Sequence, residues 1–290
     1  MARWHNDENV RASEDRTKLN WLKCGYVVKR GRKGVLKYTN GYCQQMAVFY
    51  APADVREDSE KAAACLNKLH EEDLRRRRKA RHDKKLMQQR KVAEWSRFLR
   101  QQSKIVVFDC ETSGLDCSWN VILSLSWQVL DRKLRKVDEQ TFYFEWPEDP
   151  DMVSEGAIEV NGLTQERLAR LGTSSKADAL RIFAAAVKEA SLLVAHNGSF
   201  DKAFVLAAAA REGVPLYMGI PIWDTMIRMT QYCAIPRYEY GREYKWPKLV
   251  ELAEIINVNT EDIDWHQSAS DVEITARCFR KIAEKGLVKI

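Results

Sequence analysis

The spacing of hydrophobic and polar positions changes twice along the chain. Up to residue 55, short apolar runs alternate with turn residues, a pattern typical of β-strands. Residues 56–102 lack Gly and Pro and are rich in Ala, Leu, Glu, Lys and Arg, which predicts one long helix or two helices with a slight break. The composition therefore divides the chain into a small basic β unit (1–55), a charged helix or linker (56–102) and a larger domain (103–290).

The larger domain begins with strand patterns and continues with alternating helices and strands. Strands are predicted at 104–109, 121–131, 137–146, 192–196 and 220–224, and helices at 176–190, 199–212, 249–256 and 271–285. Three strands followed by alternating elements favour an α/β fold, in which helices flank a mixed central sheet.

Charge is distributed unequally between the two parts of the chain. Residues 1–104 carry 26 Lys and Arg against 13 Asp and Glu, whereas residues 105–290 carry 21 against 28. A basic N-terminal part of this kind suggests contact with a polyanion. The candidates for contacting phosphates are Arg30, Arg32, Lys33, Arg75, Arg76, Arg77, Arg78, Lys79 and Arg81.

The predicted long helix is charged on every face in its middle, so that part cannot be buried. Three interpretations stay open: a solvated connection, a contact for nucleic-acid phosphates, or a dock for a partner protein. The helix becomes apolar again between residues 86 and 99. This end is expected to pack on the next domain or on a second copy of the chain.

Several classes of protein are disfavoured by the sequence. No apolar run approaches the roughly 18 residues of a membrane span, and the first residues are not of signal-peptide type. Seven cysteines occur without a C-x-x-C pair, which argues against a structural zinc site. An odd number of cysteines without an export signal is expected of a cytoplasmic protein with reduced thiols.

The first candidate site is the segment that ends the strand at 104–109. Side chains alternate along a strand, so Asp109 and Glu111 should share one face. Two neighbouring carboxylates at the end of a buried strand are costly unless a cation lies between them, and a hard divalent ion would suit their oxygens. Taken alone, the pattern is more typical of an acidic turn after a strand.

Two further acidic positions follow later in the chain. Asp201 lies after the strand at 192–196, where Ser199 is a candidate N-cap, and its carboxylate could simply favour the helix dipole. Asp271 begins a late helix and follows His266 by five residues. A histidine with a pKa near 6.5 is suited to accept a proton from water near neutral pH.

In combination, these segments resemble the DEDDh (DnaQ-like) 3′→5′ exonucleases, whose relatives include RNase T and the proofreading subunit of bacterial DNA polymerase III. The resemblance covers about residues 103–285. It is carried by 107–115 (VFDCETSGL), 195–201 (AHNGSFD) and 266–271, with support from 160–164, 223–225 and 248–256. Departures from the usual motifs are small: Ser113, Gly198 and the place of Ala269.

The resemblance implies a ribonuclease H-like fold and a metal-dependent exonuclease. Two Mg²⁺ or Mn²⁺ ions would be held by the four carboxylates, and His266 would act as the general base. The substrate would be nucleic acid with a free 3′ end, cut to 5′-mononucleotides. The residues implied to contact its terminal nucleotide are Thr112, Leu115, His196, Asn197 and Phe200.

Two alternatives differ in substrate or activity. Single-stranded DNA is the favoured substrate, but an exoribonuclease would carry the same five residues, Asp109, Glu111, Asp201, His266 and Asp271. A non-catalytic module could also use the fold to bind nucleic acid or tether a complex. Trp127, Trp223 and Trp246 could stack on bases, although burial in the core is the expected role of these rings.

Overall fold

The computed structural model describes residues 16–38, 46–236, 243–263 and 267–289. The chain divides into two compact units, residues 1–85 and 86–290. The division falls inside one long helix, so the last turns of that helix belong to the second unit.

The first unit combines a short helix with two small antiparallel sheets. Its elements are β1 (Arg16–Thr17), α1 (Lys18–Lys23), β2 (Tyr26–Val28), β3 (Val35–Tyr38), β4 (Met46–Tyr50) and β5 (Val55–Glu57). The first sheet has the order β1-β4-β3, and the second pairs β2 with β5. Leu22, Val27 and Ala62 form its small core. The predicted β unit is thus present, and α1 was not predicted. The Asn40-Gly41 pair, a sequence that favours a hairpin turn, lies outside the described residues.

Helix α2 (Ser59–Arg100) is continuous over 42 residues, so the first of the two predicted possibilities, one long helix, is the one observed. Its last turns pack on the second unit, where Trp95 is 1% exposed and donates from Nε1 to the carbonyl of Val288 at 2.9 Å. A domain boundary between residues 102 and 103, as drawn from the composition, would therefore separate Trp95 from the core in which it packs.

The second unit contains five strands and seven further helices within the described residues. The strands are β6 (Lys104–Thr112), β7 (Ile122–Asp131), β8 (Lys136–Tyr143), β9 (Leu192–Ala195) and β10 (Ile222–Asp224). The helices are α3 (Glu155–Asn161), α4 (Gln165–Leu171), α5 (Lys176–Glu189), α6 (Gly198–Arg211), α7 (Thr225–Cys233), α8 (Leu249–Ile255) and α9 (Ser268–Lys285).

The five strands form one mixed sheet of order β10-β9-β6-β7-β8. The first three strands along the chain are antiparallel neighbours, and β9 and β10 are added in parallel on the other side of β6. This arrangement confirms the predicted mixed sheet flanked by helices. Strand β6 is central, which explains why residues 105–108 are wholly buried.

Alternation along β6 separates two hydrophobic layers. Val106, Phe108 and Cys110 face a core completed by α5 and α6. Ile105 and Val107 face the opposite core, to which α8, α9 and Trp95 of α2 contribute. The face of β6 that bears Asp109 and Glu111 is therefore the one covered by α9.

Two details of the predicted elements were wrong. Helix α6 begins at Gly198, and its N-cap is Asn197 in the left-handed region (φ 74°), so Ser199 is not the cap. Helix α9 begins at Ser268, three residues before the predicted start.

Within the part of the chain that the structure describes, no helix is both long and apolar enough to cross a membrane.

Candidate metal and catalytic site

The acidic cluster lies where β6 leaves the sheet. Asp109 and Glu111 project from the face covered by α9, and Asp271 lies in the first turn of that helix. One carboxylate oxygen from each of these three residues lies within 4.8 Å of the others. Oxygen donors at this spacing suit a hard divalent cation, so the donor set fits the metal implied by the sequence.

Asp201 reaches the same place from the opposite layer. Strand β9 pairs with β6 only as far as Val107, so the backbone of β6 beyond that residue has no strand neighbour on this side. Asp201 Oδ1 accepts a hydrogen bond from the backbone N–H of Cys110 at 3.1 Å and lies 3.3 Å from its thiol. The carboxylate of Asp201 thus takes the position that a continuing strand would occupy.

The four carboxylates influence one another electrostatically. Burial raises the pKa of Asp109 well above its usual range, and the charges of Asp201, Glu111 and Asp271 raise it further. Burial, with the charges of Asp271 and Asp201, raises the pKa of Glu111 to about 7. Burial also raises the pKa of Asp201 to about 7. Such a cluster is unfavourable when fully ionised and favours binding of a cation.

Asn161 is a residue of this site that the sequence analysis did not single out. It is buried at the end of α3, donates from Nδ2 to the carbonyl of Thr112 at 3.0 Å, and accepts from the N–H of Leu163 at 2.9 Å. A side-chain hydrogen bond from Asn161 also lowers the pKa of Glu111, opposing the effect of burial. The only feature of the sequence that pointed to Asn161 was its place in the segment 160–164, which supports the family resemblance.

Asp224 and Ser268 are two further residues that hold the site together. Asp224 accepts hydrogen bonds from the N–H groups of Gly198 (2.9 Å) and Ile227 (3.1 Å), so it ties the start of α6 to α7. The buried hydroxyl of Ser268 lies 2.8 Å from that of Ser124 and 2.7 Å from that of Ser126. This cluster of hydroxyls fixes the beginning of α9, and hence Asp271, on β7.

The loop after β6 presents Leu115 at its tip. Thr112 is buried and donates from its hydroxyl to the carbonyl of Gly114 at 2.7 Å. A Cβ on Gly114 would lie 2.4 Å from the side chain of Asn120, so only glycine fits there. Leu115 is 85% exposed. The chain thus exposes an apolar side chain to solvent four residues after Glu111.

The other predicted substrate contacts are more enclosed. The ring nitrogens of His196 lie 2.9 Å from the Thr225 hydroxyl and 3.0 Å from the carbonyl of Pro247, so protein atoms already engage both. Burial lowers the pKa of this histidine. Asn197 is half-buried at the N-terminus of α6, and Phe200 packs on Phe204 with ring centroids 4.8 Å apart.

Other residues singled out in the sequence occupy varied positions. His266 lies outside the described residues. Trp127 and Trp223 are 0% and 2% exposed and belong to the core, whereas Trp246 is 47% exposed. The basic candidates Arg30, Arg32, Lys33, Arg75, Arg76, Arg77, Arg78, Lys79 and Arg81 are exposed and belong to the first unit.

Residues 106–279 match the family model described as Exonuclease (RNase_T). This match covers more than half of the chain, and the chain therefore belongs to that exonuclease family, as the DEDDh motifs predicted. It is 28% identical over 193 residues to the DNA polymerase III PolC-type of Bacillus subtilis, spanning 65% of this chain and 12% of the relative. It is 24% identical over 186 residues to ribonuclease T of Histophilus somni, spanning 60% of this chain and 80% of the relative.

Solved structures show the same fold. The chain is similar to E. coli exonuclease I in complex with a dA16 oligonucleotide, with a TM-score of 0.51 and 16% sequence identity. The similarity covers 63% of this chain and 41% of exonuclease I. The chain thus spans less than half of that enzyme and about an eighth of the PolC-type relative.

Proposed function

We propose that this protein is a divalent-metal-dependent 3′→5′ exonuclease that releases 5′-mononucleotides from nucleic acid. The observation that carries the proposal is the convergence of Asp109, Glu111 and Asp271 within 4.8 Å, with Asp201 at the same end of β6. Family membership and the fold of exonuclease I support the same reaction.

The four carboxylates would hold two ions, Mg²⁺ or Mn²⁺. When bound, divalent ions supply a water of lowered pKa and neutralise negative charge on the leaving 3′ oxygen. The carboxylates are already fixed by other groups: Asn161 bonds Glu111, the Cys110 N–H bonds Asp201, and Ser268 anchors the helix of Asp271. Fixed ligands reduce the reorganisation needed for binding and reaction.

We further propose that His266 accepts the proton of the attacking water, as the DEDDh motifs imply. Its place five residues before Asp271 puts it next to the start of α9 along the chain. Thr112 and Leu115 would contact the terminal nucleotide, with Leu115 against the base, while His196, Asn197 and Phe200 would shape the same pocket.

Single-stranded DNA is the substrate that we favour. The structural relative exonuclease I binds a dA16 oligonucleotide, whereas the relative that matches over most of its length is named ribonuclease T. The second observation keeps an exoribonuclease as the alternative. A non-catalytic tethering role is less well supported, because such a module has no need of four converging carboxylates.

An oligonucleotide degradation assay tests the proposal. Single-stranded DNA and RNA of equal length, each labelled at the 5′ end, are incubated with Mg²⁺ or EDTA, with free or blocked 3′ ends. We expect a ladder of shortened products only with Mg²⁺ and a free 3′ end, and none from Asp109→Asn. Cleavage in EDTA, of blocked ends, or by Asp109→Asn would refute the proposed reaction.

A further inference from the structure

A strongly basic stretch of α2 is exposed on all sides. Residues 74–90 are helical, and every one of them is exposed. They include nine Lys and Arg but only one acidic residue, Asp83. Apart from the contact of Gln88 with the end of α9, this stretch buries no face against the described residues. Packing therefore contributes little to its stability, and its charges decide what it can do.

Repulsion among these charges destabilises the helix that carries them. Arg75 and Lys79, Arg77 and Arg81, and Arg81 and Lys85 are like-charge pairs four residues apart, and each such pair costs about 0.2–0.5 kcal/mol. Within the described residues, ion pairs of this stretch are confined to Asp73, which contacts Arg76 at 2.7 Å and Arg77 at 2.6 Å. A spacer helix would be stabilised by alternating charges, which this stretch lacks.

The stretch does not offer an apolar seam for a second helix. Its large apolar residues are Leu74, Leu86 and Met87, and the first two are twelve positions apart. A paired helix needs apolar positions every three or four residues. Self-association through this part of α2 is therefore disfavoured.

We propose that residues 74–90 form a second nucleic-acid-binding surface that contacts the phosphate backbone. Six of the nine basic residues are arginines, whose planar guanidinium groups can bind phosphate oxygens through two parallel hydrogen bonds. Phosphates between neighbouring cations turn the repulsion within the helix into attraction. That the bound strand is also the substrate rests on the proposed nuclease function, but the binding itself does not.

The end of this stretch nearest the nuclease lies far from the carboxylates. Gln88 donates to the carbonyl of Gly286 at 3.3 Å, just beyond the C-terminus of α9, whereas Asp271 lies in the first turn of that helix. The 18 residues of α9 span about 27 Å. A strand stacked as in B-DNA, at 3.4 Å per nucleotide, needs on the order of eight nucleotides to cover this length. Short oligonucleotides held at the acidic cluster should therefore not reach Gln88.

Binding measurements on charge-neutralised variants of the full chain test this surface. The test variant carries Arg75→Gln, Arg78→Gln, Lys79→Gln and Arg81→Gln, and glutamine preserves helix propensity. The control carries Arg132→Gln, Lys133→Gln, Lys188→Gln and Lys289→Gln, which remove the same charge from exposed positions of the second unit. Fluorescence anisotropy in EDTA prevents degradation, and the probes are dT30, rU30 and dT6 at several salt concentrations.

We expect the test variant to bind dT30 at least tenfold more weakly than the control at low salt. The slope of log affinity against log salt concentration should be shallower by about 3 for the test variant than for the control. Each lost phosphate contact on a single strand contributes about 0.7 to this slope, and four cations are removed. Because dT6 can contact fewer of these cations than dT30, the difference between the two variants should be smaller with dT6. Comparison of dT30 with rU30 shows whether the surface distinguishes DNA from RNA.

Equal affinity and equal salt dependence of the two variants for both 30-mers would overturn the proposal, and an acidic protein partner would then be the better interpretation of the basic stretch. Circular dichroism checks that the test variant keeps its helix. Binding of dT30 through this surface by a protein that fails to cleave it would contradict the nuclease function alone, so the two failures can be told apart.

Discussion

The carboxylate of Asp201 accepts a hydrogen bond from the backbone N–H of Cys110, a residue 91 positions earlier in the chain. This bond joins the start of α6 to the end of β6, where β9 no longer accompanies the strand. It brings the fourth carboxylate to the cluster and satisfies a buried N–H at the same time. Asp201 therefore serves both the fold and the proposed metal site.

The two roles of Asp201 can be separated by substitution. Asp201→Asn keeps an oxygen acceptor for the Cys110 N–H but removes the charge, whereas Asp201→Ala removes both. We expect both variants to lose Mg²⁺-dependent cleavage. Asp201→Ala should be less stable than Asp201→Asn by about 1–3 kcal/mol, the cost of an unsatisfied buried donor. Urea unfolding in EDTA measures this difference, and equal stabilities would show that the bond contributes nothing.

The metal-free protein should lose stability as the pH rises. The pKa values of Glu111 and Asp201 are about 7 in the folded protein, above the ordinary values of about 4 in the unfolded chain. Between about pH 4 and pH 7 the folded state thus binds more protons, so its stability is greatest below this window and falls across it.

Thermal unfolding in EDTA between pH 4.5 and pH 8 measures this dependence. We expect the melting temperature to fall toward pH 7, to level off above it, and to recover at pH 8 when Mg²⁺ is added. Glu111→Gln is the matched variant, and its melting temperature should fall less. A melting temperature that rises across this window would contradict the assignment.

Local patterns in the sequence were sufficient to predict much of this architecture. The apolar run of β6 and the alternation of Asp109 and Glu111 follow from side-chain periodicity, and the mixed sheet follows from the order of the elements. The convergence of Asp201 and Asp271 on β6 depends on contacts between distant segments. It was predicted only through the resemblance to a family, because no local pattern specifies such contacts.

The remaining elements lacked a local signal. Helices α3 and α7 have only 7 and 9 residues and are set by tertiary packing more than by periodicity. The N-cap of α6 was misplaced because Asn197 adopts a left-handed conformation, which asparagine tolerates better than most residues. The hydroxyl cluster around Ser268 depends on two β7 serines more than 140 positions earlier in the chain, so no local pattern could reveal it.

Leu115 is expected to act in substrate binding and not in folding. Because its side chain is 85% exposed, Leu115→Ala should leave the unfolding free energy within about 0.5 kcal/mol of the original. Loss of its contact with a base should raise KM about tenfold, equivalent to about 1.4 kcal/mol. Steady-state degradation of a labelled oligonucleotide measures KM, and Val137→Ala, at another exposed position, is the control. An unchanged KM would show that Leu115 does not contribute to substrate binding.

Gly286 should be essential for packing of the last turns of α2 within the second unit. It has a φ of +54°, and a Cβ there would lie 2.8 Å from the backbone nitrogen of Val92. Gly213 also has a positive φ (+62°) but open space around it. Gly286→Ala should therefore lower the unfolding free energy by about 1–3 kcal/mol more than Gly213→Ala does. Equal losses in urea unfolding would mean that the close approach to Val92 has no energetic consequence.

The most direct test of the cation site is anomalous diffraction from crystals soaked in Mn²⁺. We predict anomalous peaks in contact with the carboxylates of Asp109, Glu111, Asp201 and Asp271, and their loss in crystals of Asp109→Asn. Crystals that bind Mn²⁺ elsewhere but show no peak at these four carboxylates would contradict the proposed metal site and the nuclease mechanism built on it.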